Sequence, residues 1–204
     1  MTIKLYETDR FYVRPFQKED MTEQYRQWFH DPDVTKHNSH GLFPYTKEQM
    51  AKFLAQLESS DDLVWAVIVK GKFSKRTPAQ LFGFPMVDSH TGKLIECKHH
   101  IGNITLQRIN WLYRSAEFAC VFGEKDYWGR GYGTEAAKMI FNHGFKRLNL
   151  HRIWTGTAST NIGMQKIAEK LGMKKEGVFK EAMFLNGEYV DIIEYGVLAK
   201  DWVW

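Results

Sequence analysis

Three glycines at alternate positions, followed by an apolar-periodic run, are the residues of this chain that most directly suggest chemistry. They lie in the stretch DYWGRGYGTEAAKMIFNHGF, at Gly129, Gly131 and Gly133. Glycine lowers helix propensity and costs backbone entropy, so three of them beside a helix indicate that something approaches the main chain closely. Main-chain N–H groups at a helix N-terminus favour an anion, because the helix dipole adds partial positive charge there. The spacing therefore predicts a pyrophosphate held by main-chain amides.

Two other nucleotide-binding motifs resemble this spacing, and both fit less well. A P-loop needs Lys followed by Ser or Thr after its last glycine, and this chain has Thr134 and Glu135 there. The stretch from Gly131 to Ala136 matches the dinucleotide pattern G-x-G-x-x-A, but the next strand, which should end in an acidic residue, ends TGTAST. A glycine turn that serves backbone geometry alone stays open as the alternative to a pyrophosphate site.

The periodicity of the surrounding residues predicts the elements that position this turn. A strand, SAEFACVFG, leads into the glycines, and a helix from about Thr134 to Arg147 follows them. Next come a strand HRIWTGTAS, a helix NIGMQKIAEKLG closed by Gly172, and a long hairpin that turns at Asn186 and Gly187.

The segments upstream predict further strands and two helices. KLYETDRFYVRPF predicts an opening strand that ends near Pro15, and QKEDMTEQYRQWFHD predicts a helix followed by a polar loop. Thr46 is the expected N-cap of the helix KEQMAKFLAQLES, and LVWAVIVK reads as a buried strand. FGFPMVD and HHIGNITLQRIN predict strands with the turn SHTGK between them. Since no repeat or linker interrupts the chain, we expect a single α/β (α+β) domain over residues 1–204.

Composition limits the classes of function. The 204 residues are 44% hydrophobic and 25% charged, which is typical of a soluble globular domain. A net charge of +4 is compatible with an anionic small ligand but is too weak and scattered to indicate nucleic acid. Cys97 and Cys120 are expected to be reduced thiols of a cytoplasmic protein. No signal peptide or membrane span is expected, because no long apolar run is present.

The segments around the glycine turn together resemble the GNAT superfamily of acyl-CoA-dependent N-acetyltransferases. The resemblance rests on YWGRGYGTEA, preceded by AEFACVF and followed by HRIWTGTASTNIGMQKIAEKLGMKKEG. It covers roughly Phe11 to Trp202 and is strongest from Glu117 to Gly177. The chain looks most like the branch that acetylates protein N-termini and small amino compounds, including nucleotide-linked amino sugars. The resemblance implies a mixed, mostly antiparallel twisted central sheet flanked by helices.

The resemblance also implies acetyl-CoA as the cosubstrate. The family signature is Gln/Arg-x-x-Gly-x-Gly/Ala, and Trp128 stands where Gln or Arg is usual. The amides of the turn would hold the pyrophosphate, and the end of the preceding strand would pair with the pantetheine arm. The implied cofactor-binding residues are Val121, Phe122, Gly123, Trp128, Gly129, Arg130, Gly131, Tyr132, Gly133, Thr134 and Asn161.

Direct acetyl transfer to a primary amine needs a neutral amine, a stabilised oxyanion and a proton for the thiolate. The family uses a main-chain N–H near Val121 for the oxyanion. Glu117 shares a strand face with Val121 by the period of two, and family members often carry an acid there. We interpret Glu117 as the candidate base, with a salt bridge to Arg114 or Arg108 as the alternative.

The late helix carries the second catalytic candidate. Asn161 matches a family residue that hydrogen-bonds the cofactor arm or an ordered water, and a simple N-cap is the alternative role. Many family members have a tyrosine on this helix where this chain has Ala168, so no residue is assigned as the general acid. The missing tyrosine keeps a second function open, a catalytically inactive acyl-CoA-binding sensor or interaction module.

The acceptor is expected to be a small-molecule or peptide amine. The front loop, where this family builds its acceptor pocket, contains His37 and Tyr45, which we expect to contact the substrate. The segment of residues 70–100 is longer than a sheet connection needs and would wall the acceptor side. His99 and His100 lack partners at metal-ligand spacing, so no metal is predicted. We expect a monomer or homodimer without nucleic-acid or membrane partners.

Overall fold

The computed structural model describes residues 3–70 and 99–204. The strands are β1 (Tyr6–Glu7), β2 (Phe11–Pro15), β3 (Leu63–Val69), β4 (His99–Asn110), β5 (Ser115–Phe122), β6 (Arg152–Ala158), β7 (Lys174–Leu185) and β8 (Glu188–Leu198). The α-helices are α1 (Glu23–Trp28), α2 (Pro32–Thr35), α3 (Lys47–Ser59), α4 (Tyr132–Lys146) and α5 (Ile162–Lys170). Within the described ranges the strands form one sheet in the order β1-β2-β3-β4-β5-β6-β8-β7.

The sheet is mixed and mostly antiparallel, as predicted. Every pair of neighbouring strands is antiparallel except β5 and β6, which are parallel. Their pairing joins Ser115, Ala116 and Glu117 to residues 152–154. Among the described residues no ladder pair joins the two strands beyond Glu117. A gap, which we call the wedge, therefore opens between the last half of β5 and the last half of β6.

Apolar clusters cover both faces of the sheet. On one face, Ala116 and Phe118 of β5 pack with α4 and α5, whose Ile140 and Ala168 are fully buried. On the other face, a cluster from α1, α3 and the neighbouring strands packs against Val121 of β5. The alternation along β5 follows the period of two predicted from its sequence. Burial on both faces holds β5 firmly, and its end carries the glycine turn.

Several predicted boundaries are confirmed by left-handed residues. Gly172, with a φ of +73°, follows α5 and ends it. Asn186 and Gly187 have φ values of 53° and 90° and join β7 to β8 in a two-residue turn. The helix after the glycines begins at Tyr132, two residues before the expected Thr134.

The front of the chain differs from the prediction in three places. The opening strand is divided into β1 and β2. The first predicted helix is a 3-10 turn, Lys18–Asp20, followed by α1. The interruption arises because the Asp20 carboxylate forms a buried two-point ion pair with Arg14, at 2.6 and 2.5 Å, and Thr22 then caps α1. The polar loop contains α2, because Asp31 acts as its N-cap.

Some predictions concern residues outside the described ranges. These are the strand FGFPMVD, the turn SHTGK, Cys97 and most of residues 70–100, so a single domain over residues 1–204 stays a prediction. The strand HHIGNITLQRIN is confirmed as β4. Cys120 is a free thiol whose pKa burial raises to about 12. In the described part of the chain, no helix is long and apolar enough to cross a membrane.

Candidate active site

Two of the three glycines have backbone angles that favour glycine. Gly129 and Gly131 have φ values of +69° and +83°, and Gly131 is the N-cap of α4. A Cβ built on Gly129 would meet no atom within 4 Å, and one on Gly131 would meet only Arg10 Nη2, at 3.8 Å. The turn therefore requires glycine for its conformation, and the space beside these two positions is open on the protein side.

Gly133 has a different structural role. It lies in the first turn of α4, where a Cβ would come within 3.1 Å of Ile167 Cδ1 and 3.4 Å of Phe122 Cε2. Its lack of a side chain thus allows α4 to pack closely against α5 and β5. The predicted access for phosphate depends on the other two glycines, while the Gly133 amide stays part of the predicted cradle.

Arg10, which the sequence analysis did not single out, contacts the glycine turn from the segment before β2. Its Nη1 donates to the carbonyl oxygen of Arg130 at 3.0 Å, and its Nη2 pairs with the Glu135 carboxylate. Its guanidinium lies over the ring of Tyr132, 4.3 Å from the centroid. A positive charge is therefore held beside the N-terminus of α4. Neither residue type nor local spacing signals this contact, because 120 residues separate Arg10 from Arg130.

The end of β5 is tied to the glycine turn by Trp128. Its Nε1 donates to the carbonyl oxygen of Phe122 at 2.7 Å. This is one of the main-chain groups predicted to face the pantetheine arm, so the indole already uses part of its accepting capacity. The next residue, Gly123, is covered by Trp28, because a Cβ there would lie 1.9 Å from the indole. Trp28 Nε1 also donates to Glu124 Oε1 at 2.8 Å.

Glu117, the candidate base, lies at the closed end of the wedge. It is the last residue of β5 that pairs with β6. Its Oε2 accepts a hydrogen bond from Gln107 Nε2 at 3.0 Å and lies 3.3 Å from Arg108 Nε. The Glu117 side chain is 14% exposed, whereas that of Arg108 is 72% exposed. The predicted alternative, a salt bridge, is confirmed with Arg108, and the carboxylate is held in a fixed position near the wedge.

Asn161 has the N-cap role that the sequence suggested as an alternative. Its Oδ1 accepts from the Met164 amide at 3.1 Å, at the start of α5. Because α5 follows β6, Asn161 lies on the β6 side of the wedge, opposite the strand that carries Glu117. Its predicted contact with the cofactor arm stays a prediction. Cys120 Sγ contacts Met164 Sδ at 3.8 Å, which is consistent with its expected role in the core.

Residues 28–45, which we call the front segment, are fastened on both sides of the wedge. On the β5 side, Lys125 Nζ lies 2.8 Å from Asp31 Oδ2 and 3.0 Å from Asp33 Oδ2. On the β6 side, His37 Nδ1 lies 3.2 Å from Thr160 Oγ1. Burial, with a smaller effect of the neighbouring lysine, lowers the pKa of His37. The front segment therefore crosses the mouth of the wedge.

The two expected substrate contacts have structural partners of their own. His37 takes part in the fastening to Thr160. The Tyr45 ring packs 4.4 Å from the Phe29 ring, centroid to centroid, and its amide donates to His30 Nε2 at 3.0 Å. Contact of His37 or Tyr45 with a substrate stays a prediction.

The two adjacent histidines have separate environments. His99 Nε2 lies 3.3 Å from Glu124 Oε2. His100 stacks on Tyr25 and lies 2.8 Å from Asn103 Oδ1 through its Nε2. Among the described residues, no group of three or more His, Cys, Asp or Glu side chains is placed to hold a metal ion.

Comparison with known proteins identifies the family. The family described as the acetyltransferase (GNAT) domain matches residues 10–174. The chain belongs to the GNAT acetyltransferase family. The "Uncharacterized N-acetyltransferase YnaD" of Bacillus subtilis (strain 168) is 27% identical to this acetyltransferase over 195 residues, covering 96% of this chain and 97% of that protein.

Further relatives agree on the fold and the reaction class. Spermidine N(1)-acetyltransferase of Escherichia coli (strain K12) is 34% identical over 101 residues, covering 49% of this chain and 54% of that protein. The structure of spermidine N-acetyltransferase from Vibrio cholerae in complex with CoA and spermine has a TM-score of 0.72 and 19% identity, with 95% and 98% of the two chains covered. The GNAT fold and the acetyltransferase class are confirmed. The predicted branch is not confirmed, since these relatives are named for spermidine.

Proposed function

We propose that this protein transfers an acetyl group from acetyl-CoA directly to a primary amine, with the pyrophosphate at the glycine turn and the pantetheine arm in the wedge. One observation carries the proposal: an open glycine turn and an unpaired stretch of β5 main chain meet at the same end of the sheet. The Trp128–Phe122 hydrogen bond joins the two features. GNAT acetyltransferases use acetyl-CoA, and the related Vibrio cholerae structure contains CoA.

The residues at the turn fit a pyrophosphate. Gly129 and Gly131 leave the main chain accessible, and the N-terminus of the 15-residue helix α4 lies directly behind them. The helix dipole and the first amides of the helix favour a negative charge at this point. Arg10 adds a full positive charge, which its contact with Arg130 holds beside the turn. We expect the amides from Gly129 to Thr134 to provide the donors.

The wedge fits an extended ligand arm. Beyond Glu117 the main chain of β5 has β4 on one side and no strand partner on the other among the described residues. An extended amide-containing chain placed there would take the place of a strand. Acetyl-CoA, when bound, supplies an acetyl group activated as a thioester. We propose that the main-chain N–H near Val121 donates to the acetyl oxygen.

Glu117 is the proposed base. Its carboxylate is mostly buried at the closed end of the wedge, and Gln107 and Arg108 orient it. An amine must lose a proton to attack a thioester, and a positioned carboxylate takes that proton directly or through a water molecule. Asn161, on the other side of the wedge, is proposed to orient the ligand arm or the water in addition to capping α5.

The experiment combines thiol release with calorimetry. The protein is expected to bind CoA and to release free thiol from acetyl-CoA in the presence of an amine. Glu117→Gln should reduce kcat by about 10²-fold, the lower end of general-base effects, and leave the Kd for CoA unchanged. Glu58→Gln, at an exposed position of α3, is the matched control. Unchanged kcat in Glu117→Gln would assign Glu117 a structural role.

The alternative function, an inactive acyl-CoA-binding sensor, makes a different prediction for the same assay. It would bind CoA and release no thiol with any amine. The relatives named as N-acetyltransferases do not favour it. Acetylation of protein N-termini or of amino-sugar nucleotides, a cytoplasmic location and a monomeric or homodimeric state remain predictions from the sequence.

A further inference from the structure

A cavity lies between the front segment and the turn that joins β7 to β8. Its volume is about 460 Å³, which is within the range of small-molecule sites. Asn186 of the β7–β8 turn helps to form it, because its Nδ2 donates to the carbonyl oxygen of Lys36 at 3.3 Å. The apolar lining residues are Phe29, Pro32, Leu42, Phe43, Pro44 and Leu185. The cavity is therefore largely apolar, with polar groups at one edge.

The charge of this lining is unusual for a site that would bind an amine with several positive charges. Among the described residues that line the cavity, none carries a carboxylate, and the ionisable ones are His30 and Lys36. His30 Nε2 accepts a hydrogen bond from the Tyr45 amide, so that nitrogen carries no proton. Asp31 and Asp33, the carboxylates of the front segment, are paired with Lys125.

The cavity adjoins the proposed reaction centre. Phe29, which lines it, belongs to the same apolar cluster as Trp28, and Val121 of β5 packs against that cluster. Trp28 covers Gly123 at the end of β5, and His37, beside Lys36, is fastened to Thr160 after β6. The segment that forms the cavity thus crosses the mouth of the wedge, where an acceptor amine must enter.

We infer that this cavity binds the non-reacting part of the acceptor and that the acceptor is an apolar monoamine rather than a polyamine. This inference rests on the proposed function. A second ammonium group placed among apolar side chains loses hydration, and a carboxylate would have to compensate for that loss. Lys36 would in addition repel it. A methyl or phenyl group in the same place gains from burial instead.

A matched pair of acceptors tests the inference. Hexylamine and 1,5-diaminopentane have the same length and differ by a terminal methyl in place of a terminal ammonium. With acetyl-CoA at saturation, kcat/KM is expected to be at least tenfold higher for hexylamine than for 1,5-diaminopentane or spermidine. Equal values, or a preference for either polyamine, would overturn the inference.

A charge introduced into the cavity provides a second test. Leu42 is 59% exposed and lines the cavity, so Leu42→Asp adds a carboxylate without disturbing the core. It is expected to shift the ratio of kcat/KM values at least tenfold toward 1,5-diaminopentane. Leu112→Asp, at a position 84% exposed in the turn between β4 and β5, is the control and should leave the ratio unchanged. An unchanged ratio in Leu42→Asp would also overturn the inference.

The two proposals can fail separately. If the protein binds CoA and acetylates polyamines but not hexylamine, the cavity inference is wrong and the proposed function stands. If calorimetry with CoA detects no binding and no amine releases thiol, the proposed function is wrong, and the cavity inference is wrong with it.

Discussion

Replacing Gly131 by alanine separates the two roles that a glycine at this turn can have. The residue has a φ of +83°, and the nearest side-chain atom to an added Cβ is Arg10 Nη2 at 3.8 Å. The substitution therefore creates no clash within the protein, and its intrinsic cost is left-handed strain of roughly 1–2 kcal/mol. A phosphate that approaches the amides closely would meet the new methyl group.

Gly172 offers a control with matched backbone strain. It has a φ of +73°, and a Cβ there would meet no atom within 4 Å. It lies at the end of α5, away from the glycine turn. Gly131→Ala and Gly172→Ala should therefore reduce the free energy of unfolding by similar amounts, about 1–2 kcal/mol. For a chain of this size, each kcal/mol lowers Tm by about 2–4 °C.

Only Gly131→Ala should also weaken CoA binding. Loss of a single charge-assisted hydrogen bond is worth about 1.5–3 kcal/mol, which corresponds to an increase in Kd of roughly 10- to 100-fold. Isothermal titration calorimetry with CoA measures this change, and urea unfolding measures the strain. The reasoning is refuted if both variants change Kd equally, or if neither does, because the glycine would then serve backbone geometry alone.

Three further predictions concern contacts around the site. Arg10→Met should raise the KM for acetyl-CoA about tenfold with kcat unchanged, and Arg10→Lys should recover part of that loss, because the guanidinium supplies both charge and a hydrogen bond to the turn. Gly123→Ala should lower the free energy of unfolding by about 1–3 kcal/mol in urea titration, since its Cβ would overlap the Trp28 indole. Burial lowers the pKa of His100; the unfolded chain takes up a proton below about pH 6.5 that the folded chain resists, so stability should fall as the pH drops below that value. His100→Gln should flatten this dependence, and an equal slope in both proteins would contradict it.

The parts of the fold that the sequence predicts correctly are those set by local patterns. The alternation in β5, the left-handed Gly172 and the Asn186–Gly187 turn each depend on a few adjacent residues. The helix expected over residues 17–31 is interrupted instead, because Asp20 pairs with Arg14 in a neighbouring strand. A helical pattern cannot reveal that competing partner.

The candidate site shows the same division. The glycine turn and the strand before it are visible in the sequence, since their residue types and spacing carry the signal. Arg10 and the fastening of His37 to Thr160 depend on residues more than 100 positions apart, so no local pattern encodes them. The two environments that Glu117 offers, catalytic and ion-paired, are likewise separated only by the position of Arg108.

The short pairing between β5 and β6 means that the folded protein alone is an unfinished β-sheet. In the proposed binding mode the substrate occupies the missing strand position, so its concentration contributes to the thermodynamic stability of the fold. At a free concentration one hundred times Kd, this contribution is about 2.7 kcal/mol, comparable to the loss of a buried side chain. Cellular thioester supply would then govern how long the enzyme survives as well as how fast it works.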